Sequence, residues 1–174
     1  MKNSIVFIAL VVGIIFFLVS RGADESERKN IKLTETTCQK EVHFSDKLHD
    51  WTAIKVAKEL LYDEKYTVES SIVKSTHVKS RIANYIQTES ADKVLKRIIS
   101  EFKKEKPKSY DNKLKIQYYI IENSRVGSTE VGQLEFRFLL DDALVYEARS
   151  HYIGKTGEDI PRRIKCIIKS FFAQ

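Results

Sequence analysis

Reaction signatures are what this chain lacks first. It contains no G-x-S-x-G, no H-E-x-x-H and no cysteine in an activating context, so the common hydrolase and metalloprotease chemistries have no local support. Gly154-Lys155-Thr156 matches the end of a phosphate-binding loop. The glycine that loop requires five residues earlier is Arg149, and the preceding strand belongs to a hairpin rather than a βαβ unit. Histidine is limited to His43, His49, His77 and His151, and none lies three or four residues from another. His43 with Asp46 and His49 with Asp50 read as local surface pairs, and His151 is placed to meet Glu147 on its own strand face. The only cysteines are Cys38 and Cys166. Neither belongs to a Cys or His set at ligand spacing, so no metal site is expected. Catalytic residues, cofactor and metal are therefore all read as none.

Charge of a single sign is also missing. Thirty Lys and Arg stand against twenty-four Asp and Glu for a net +6. Lys2 and Arg21 are the only charges before Ala23, which leaves +4 on residues 23–174. A mildly basic, mixed surface does not provide the concentrated basic face that nucleic acid needs, and nucleic acid is excluded as a partner. Internal repeats are absent too.

One long apolar run is present, Ser4–Ser20 (SIVFIALVVGIIFFLVS), directly behind Met1-Lys2-Asn3. A bilayer core needs about 17–25 helical residues, whereas a secretory h-region uses about 7–15. An uncleaved single-pass anchor is the preferred reading. A cleaved signal is the alternative, with Ser20 and Gly22 at the positions before a cut at Ala23 and Arg21 a poor neighbour between them. The short N-terminal tail with one lysine favours export of the C-terminal part, while Arg21, Arg28, Lys29 and Lys32 pull toward a cytoplasmic one. The expected division is 1–22 anchor or signal segment, 23–44 polar stalk and 45–174 a single globular domain, with that domain extracytoplasmic, in the periplasm. In an oxidising compartment Cys38 and Cys166 form the candidate disulfide, closing a loop worth about 3–5 kcal/mol by chain entropy. Two separate buried thiols are the other reading.

Within the domain, periodicity predicts the elements. Ser45 or Asp46 can cap a first helix whose apolar face is Ala53, Ile54, Val56, Ala57, Leu60 and Leu61, ending near Tyr62, with Trp51 as a packing anchor at its start. Lys65–Lys74 alternates as a strand. His77–Gln87 fits either period and leans to a strand. Ala91, Val94, Leu95, Ile98, Ile99 and Phe102 predict a helix stopped by Pro107, and the basic run Lys103–Lys108 reads as its solvated end. Leu114, Ile116, Tyr118 and Ile120 share one face of a covered strand. Leu134, Phe136, Phe138 and Leu140 point inward on the next, Asp141-Asp142 turns, and the chain returns with Leu144, Tyr146 and Ala148 on one face. Thr156–Asp159 resembles a capping box. It starts a helix with Ile160, Ile164, Ile167, Ile168, Phe171 and Phe172 on one side and Arg162, Arg163, Lys165 and Lys169 on the other. The fold class is α+β: an antiparallel sheet of about four strands with two to three helices on one face, behind an N-terminal transmembrane helix.

The 134–152 hairpin with its Asp141-Asp142 turn, followed by the helix Asp159–Phe172, resembles small bacterial envelope α+β auxiliary or assembly domains behind a membrane anchor. That resemblance implies two helices on one face of an antiparallel sheet. With no reaction motif in view, the leading expectation is a membrane-anchored extracytoplasmic binding or scaffold domain without catalysis. Its partners are the membrane through residues 4–20 and another envelope protein or a lipid, for instance an acyl chain in a groove between sheet and helices. The alternatives are an envelope hydrolase with a site near His151, and a cytoplasm-facing domain that meets anionic lipid through Lys103–Lys108 or the Arg162–Lys169 face.

Overall fold

Alternating apolar residues build the centre of the fold. In the computed structural model, which describes residues 43–76, 79–80, 82, 85–123 and 131–174, the second half of the chain forms strands β3 (Leu114–Glu122), β4 (Gly132–Leu140) and β5 (Ala143–Tyr152). Leu114, Ile116, Tyr118 and Ile120 face the same way as Leu134, Phe136, Phe138 and Leu140, and all are buried. Asp141 and Asp142 join β4 to β5 with φ of 49° and 65°. This left-handed pair is what a two-residue hairpin needs, and Asp tolerates it better than most side chains. The Asp141 carboxylate accepts the Lys113 N–H at 2.8 Å and the Asn112 amide. Those bonds, the Lys113 one above all, hold its carboxyl below the usual range.

Strands β1 (Phe44–Leu48) and β2 (Tyr66–Val73) complete a five-stranded sheet of order β1-β5-β4-β3-β2. Two expectations change here. The sheet has five strands rather than about four, and it is mixed: β2 runs parallel to β3, while every other pair is antiparallel. The parallel pair follows from its connection, which is long enough to carry a helix back across the sheet. In addition, Ser45 and Asp46 are not a helix cap but lie within β1. The cap of helix α1 (Ala53–Tyr62) is Asp50, whose carboxylate accepts the N–H groups of Thr52 and Ala53 at 2.7 and 2.8 Å. Trp51 sits in the turn before the helix and is 40% exposed; it is not the packing anchor expected.

Helix α2 (Thr88–Ser100) begins one turn earlier and ends earlier than its apolar stripe predicts. The segment before it forms no strand among the described residues. Buried Glu122, at the end of β3, accepts the N–H groups of Ser75 and Ile82 at 3.2 and 3.0 Å. The carbonyl of Ile82 then accepts those of Tyr85 and Ile86. A carboxylate thus takes the place of a strand partner, which hydrophobic pattern cannot reveal. Helix α3 (Ile160–Ala173) follows a turn organised by Asp159, described below.

The three helices among the described residues lie against one face. Their apolar stripes (Ile54, Ala57, Leu60 and Leu61 on α1; Ala91, Leu95, Ile98 and Ile99 on α2; Ile160, Ile164, Ile167, Ile168 and Phe171 on α3) join the inward strand residues in one core. A ladder of rings runs through it: Tyr118–Phe136 at 4.7 Å, Phe136–Phe138 at 6.4 Å and Phe138–Phe171 at 4.2 Å. A bulge interrupts β5, where Phe138 pairs with Tyr146 but Leu139 pairs with Leu144, leaving Val145 as the extra residue. It moves Leu144 onto the face opposite Tyr146 and Ala148, against the simple alternation expected. Among the described residues no helix is long and apolar enough to cross a membrane. The apolar segment 4–20 and most of the stalk lie outside the described residues.

Candidate functional site: the open sheet face

The face of the sheet away from the helices carries the second set of alternating residues. Register places them in cross-strand rows: Ser71, Tyr119, Glu135, Arg149 and Ser45 in one; Glu69, Gln117, Arg137, Glu147 and Lys47 in the next. Signs alternate along the second row. Glu135 pairs with Arg149 at 3.1 Å, Gln117 donates to Glu69 at 2.7 Å, and Lys115 reaches Asp142 at 3.0 Å and Glu69 at 3.5 Å. Exposed pairs of this kind add little stability. Their effect is to hold long side chains in a fixed pattern across the strands. Arg137, Arg149 and Lys47 remain exposed at its centre and edge.

The histidines do not assemble as expected. Glu147 meets His49, the residue just after β1, at 3.2 Å, not His151. Residues four apart on one strand are about 13 Å apart, whereas cross-strand neighbours are about 5 Å apart. His151 instead stands edge-on to His43, ring centres 5.7 Å apart. His77 lies outside the described residues. No group of three or more His, Cys, Asp or Glu among the described residues is placed to hold a metal ion.

Three inward carboxylates act as anchors, and sequence reading missed all three roles. Asp46 of β1 accepts from the hydroxyls of Tyr146 and Ser170 and from the Gln174 amide, at 2.9, 2.5 and 3.1 Å, tying the first strand to the last helix. Glu122 gathers the segment before α2. Asp159 accepts the N–H groups of Ile153 and Gly154 at 3.1 and 3.0 Å and the Arg163 guanidinium at 3.1 Å. Arg163 is therefore buried, 4% exposed, rather than on the solvent side of α3. The Thr156–Asp159 capping box does not form either. Thr156 bonds Glu158 through its N–H and hydroxyl, and these bonds hold the Glu158 carboxyl below its ordinary range. The turn that resembles a phosphate loop is thus closed by its own carboxylates. The one clue in the sequence was an acid at an inward position of an alternating strand, as Asp46 and Glu122 both are.

Two lysines of the basic run after α2 are engaged by carboxylates of α1 and the turn behind it. Lys103 pairs with Glu64 and Lys104 with Glu59, each at 2.9 Å, and Lys104 also lies 3.7 Å above the Tyr62 ring. Glu59 accepts the Lys108 N–H as well. Those hydrogen bonds hold the Glu59 carboxyl low and raise Lys103 and Lys104. A cleft of about 420 Å³ at the hairpin end of the sheet is lined by Lys65, Lys113, Lys115, Asp141 and Asp142 among others, of which Lys115 and Asp142 pair with each other at 3.0 Å. Between α2 and α3 an apolar groove of about 160 Å³ is lined by Tyr85, Ile86, Val94, Ile160 and Pro161 among others. Cys166, on the buried side of α3, is not a free thiol; Cys38 lies outside the described residues.

No family model, no curated protein and no solved structure matches the chain. The open face is therefore read from its own geometry alone.

Proposed function

We propose that this chain is a membrane-tethered, extracytoplasmic domain that holds a protein partner on its open sheet face and performs no catalysis. The observation that carries the reading is the one-sidedness of the sheet. Among the described residues the five strands are covered by helices on one side only, and the other side carries cross-strand rows of charged and polar side chains with Arg137 and Arg149 exposed. Protein interfaces use such complementary charge for register and choice of partner. The tether is the apolar run Ser4–Ser20 and the stalk the polar stretch behind it. A protein partner is favoured over an acyl chain because the apolar groove between α2 and α3, at about 160 Å³, falls short of the roughly 300–1,000 Å³ of usual ligand sites, and the larger cleft at the hairpin end is lined by charged residues. A binding role is favoured over hydrolysis because Glu147, the carboxylate nearest His151 in sequence, is engaged by His49.

The test is a photocrosslinking residue at Arg137 in the full chain in its native membrane, with Lys96 on the exposed side of α2 as control. One discrete protein adduct is expected from position 137, lost on Arg149→Glu, retained on His151→Ala, and absent from position 96. No adduct, or the same adducts from both positions, rejects the open face as the binding surface.

Cys38 and Cys166 are proposed as the disulfide that ties the stretch ahead of β1 to α3. Peptide mapping without reductant is expected to recover the two cysteine-containing peptides joined. Recovery of both as free thiols from an oxidising compartment rejects the pairing.

A further inference from the structure

The two edges of the sheet are built differently. Edge strand β1 spans only Phe44–Leu48 and carries Lys47, the short, lysine-bearing form that discourages further pairing. Edge strand β2 spans Tyr66–Val73, YTVESSIV, with no proline, no lysine, no break in its register with β3 and one charge, Glu69. Among the described residues no backbone hydrogen bond reaches Tyr66–Val73 except the ladder to β3. Against the described residues the strand therefore keeps a row of outward N–H and C=O groups, and its own sequence lacks the usual protections of an edge.

We propose that β2 is a self-pairing edge, on which a second copy of this chain adds its own β2 antiparallel about a two-fold axis through Ser70. The sequence of the strand selects that partner and that register. With Ser70 opposite Ser70, Val68 faces Ile72 on the helix-covered side. Thr67 faces Val73 and Glu69 faces Ser71 on the open side, while Tyr66 meets Lys74 just past the strand end. Apolar residues oppose apolar residues, an aromatic ring meets a cation, and no like charges meet. Moving the axis to residue 69 would set Glu69 against Glu69, and moving it to residue 71 would set Val68 against Lys74. Pairing inward residues with inward residues keeps both helix layers on one side. The open faces of two copies then form one ten-stranded surface. The inference is independent of what binds that surface.

Ser71 is the lever. It is half-exposed on the open side and would lie across from Glu69 of the other copy, twice per dimer. The full chain in detergent micelles, studied by sedimentation equilibrium, is expected to show a reversible dimer. Ser71→Glu weakens it about fivefold and Ser71→Lys tightens it about as much, from two cross-strand pairs of ordinary strength. The opposite signs separate β2 pairing from any association of the apolar segments, which neither change touches. A monomer at every concentration, including for Ser71→Lys, overturns the proposal. So does a dimer whose constant is unmoved or moves in the same direction in both variants, and in either case the edge is left to a different chain. If Ser71→Glu fails to fold, as thermal unfolding would reveal, the Ser71→Lys arm alone decides: tightening supports the pairing, and no change rejects it.

Discussion

Titration upward from neutrality is expected to leave the domain folded to about pH 10 and to unfold it over roughly the next two units. Tyr118, Tyr146 and Tyr152 are each fully buried. Burial is the main cause that raises the ionisation of all three phenols above the ordinary tyrosine value. Asp92 adds to it at Tyr118, Asp46 at Tyr146, and Glu122 with Asp159 at Tyr152. An unfolded phenol titrates near 10, so above that pH the unfolded chain releases protons that the folded one retains. The stability from these groups is complete below pH 10 and declines as pH rises. Each tyrosine contributes about 1.4 kcal/mol per pH unit, and the three together about 4. Total stability of a domain is about 5–15 kcal/mol, so the roughly 8 kcal/mol lost over about two units unfolds a domain in the lower half of that range. Circular dichroism and tyrosinate absorbance should show part of the phenolate signal rising only as the fold is lost. Complete ionisation near pH 10 with the dichroism unchanged would rule this out.

Phe138→Ala is expected to remove about 3–5 kcal/mol of stability, the usual range for truncating a fully buried phenylalanine. The ring stacks on Phe171 at 4.2 Å, meets Tyr146 edge-on at 5.6 Å and continues the ladder to Phe136. Its removal therefore opens a gap between sheet and α3 that no neighbour can fill without leaving its own stack. Phe138→Leu keeps most of the volume and should cost less than half as much. Urea unfolding measures both: the midpoint should fall while the slope stays constant. A loss under about 1 kcal/mol for the alanine variant would mean that the aromatic ladder is not the seam joining sheet to helix.

What the sequence could reveal depended on how local the determining interaction was. The stripe of α1, the alternation of β3 and β4 and the Asp141-Asp142 turn are set by neighbours within a few residues, and all were legible. Strand β1 was not. Its five residues are too few for alternation to stand out, its partner β5 lies about a hundred positions away, and Asp46 resembles a helix cap in any local reading. The parallel placement of β2 depends on where α2 carries the chain, which no residue of β2 announces. Burial of Arg163 rests on one carboxylate four residues earlier that was read as a cap. The open face was legible as the polar half of each alternation, but its rows were not, because they require the register between strands. For the same reason His151 was matched with Glu147 along the strand when His49 lay nearer across it.

The tie from Asp46 to Tyr146, Ser170 and Gln174 spans 100 to 128 residues. Strand β1 therefore cannot make this contact until residues 100 to 128 positions further along have been made. At about 5–20 residues per second of synthesis, that is a wait of several seconds to some twenty. During it, Phe44 and Leu48 emerge from the ribosome without their partners. Until then β1 has neither its ladder to β5 nor its tie to α3, while β2 and β3 already have each other to pair with.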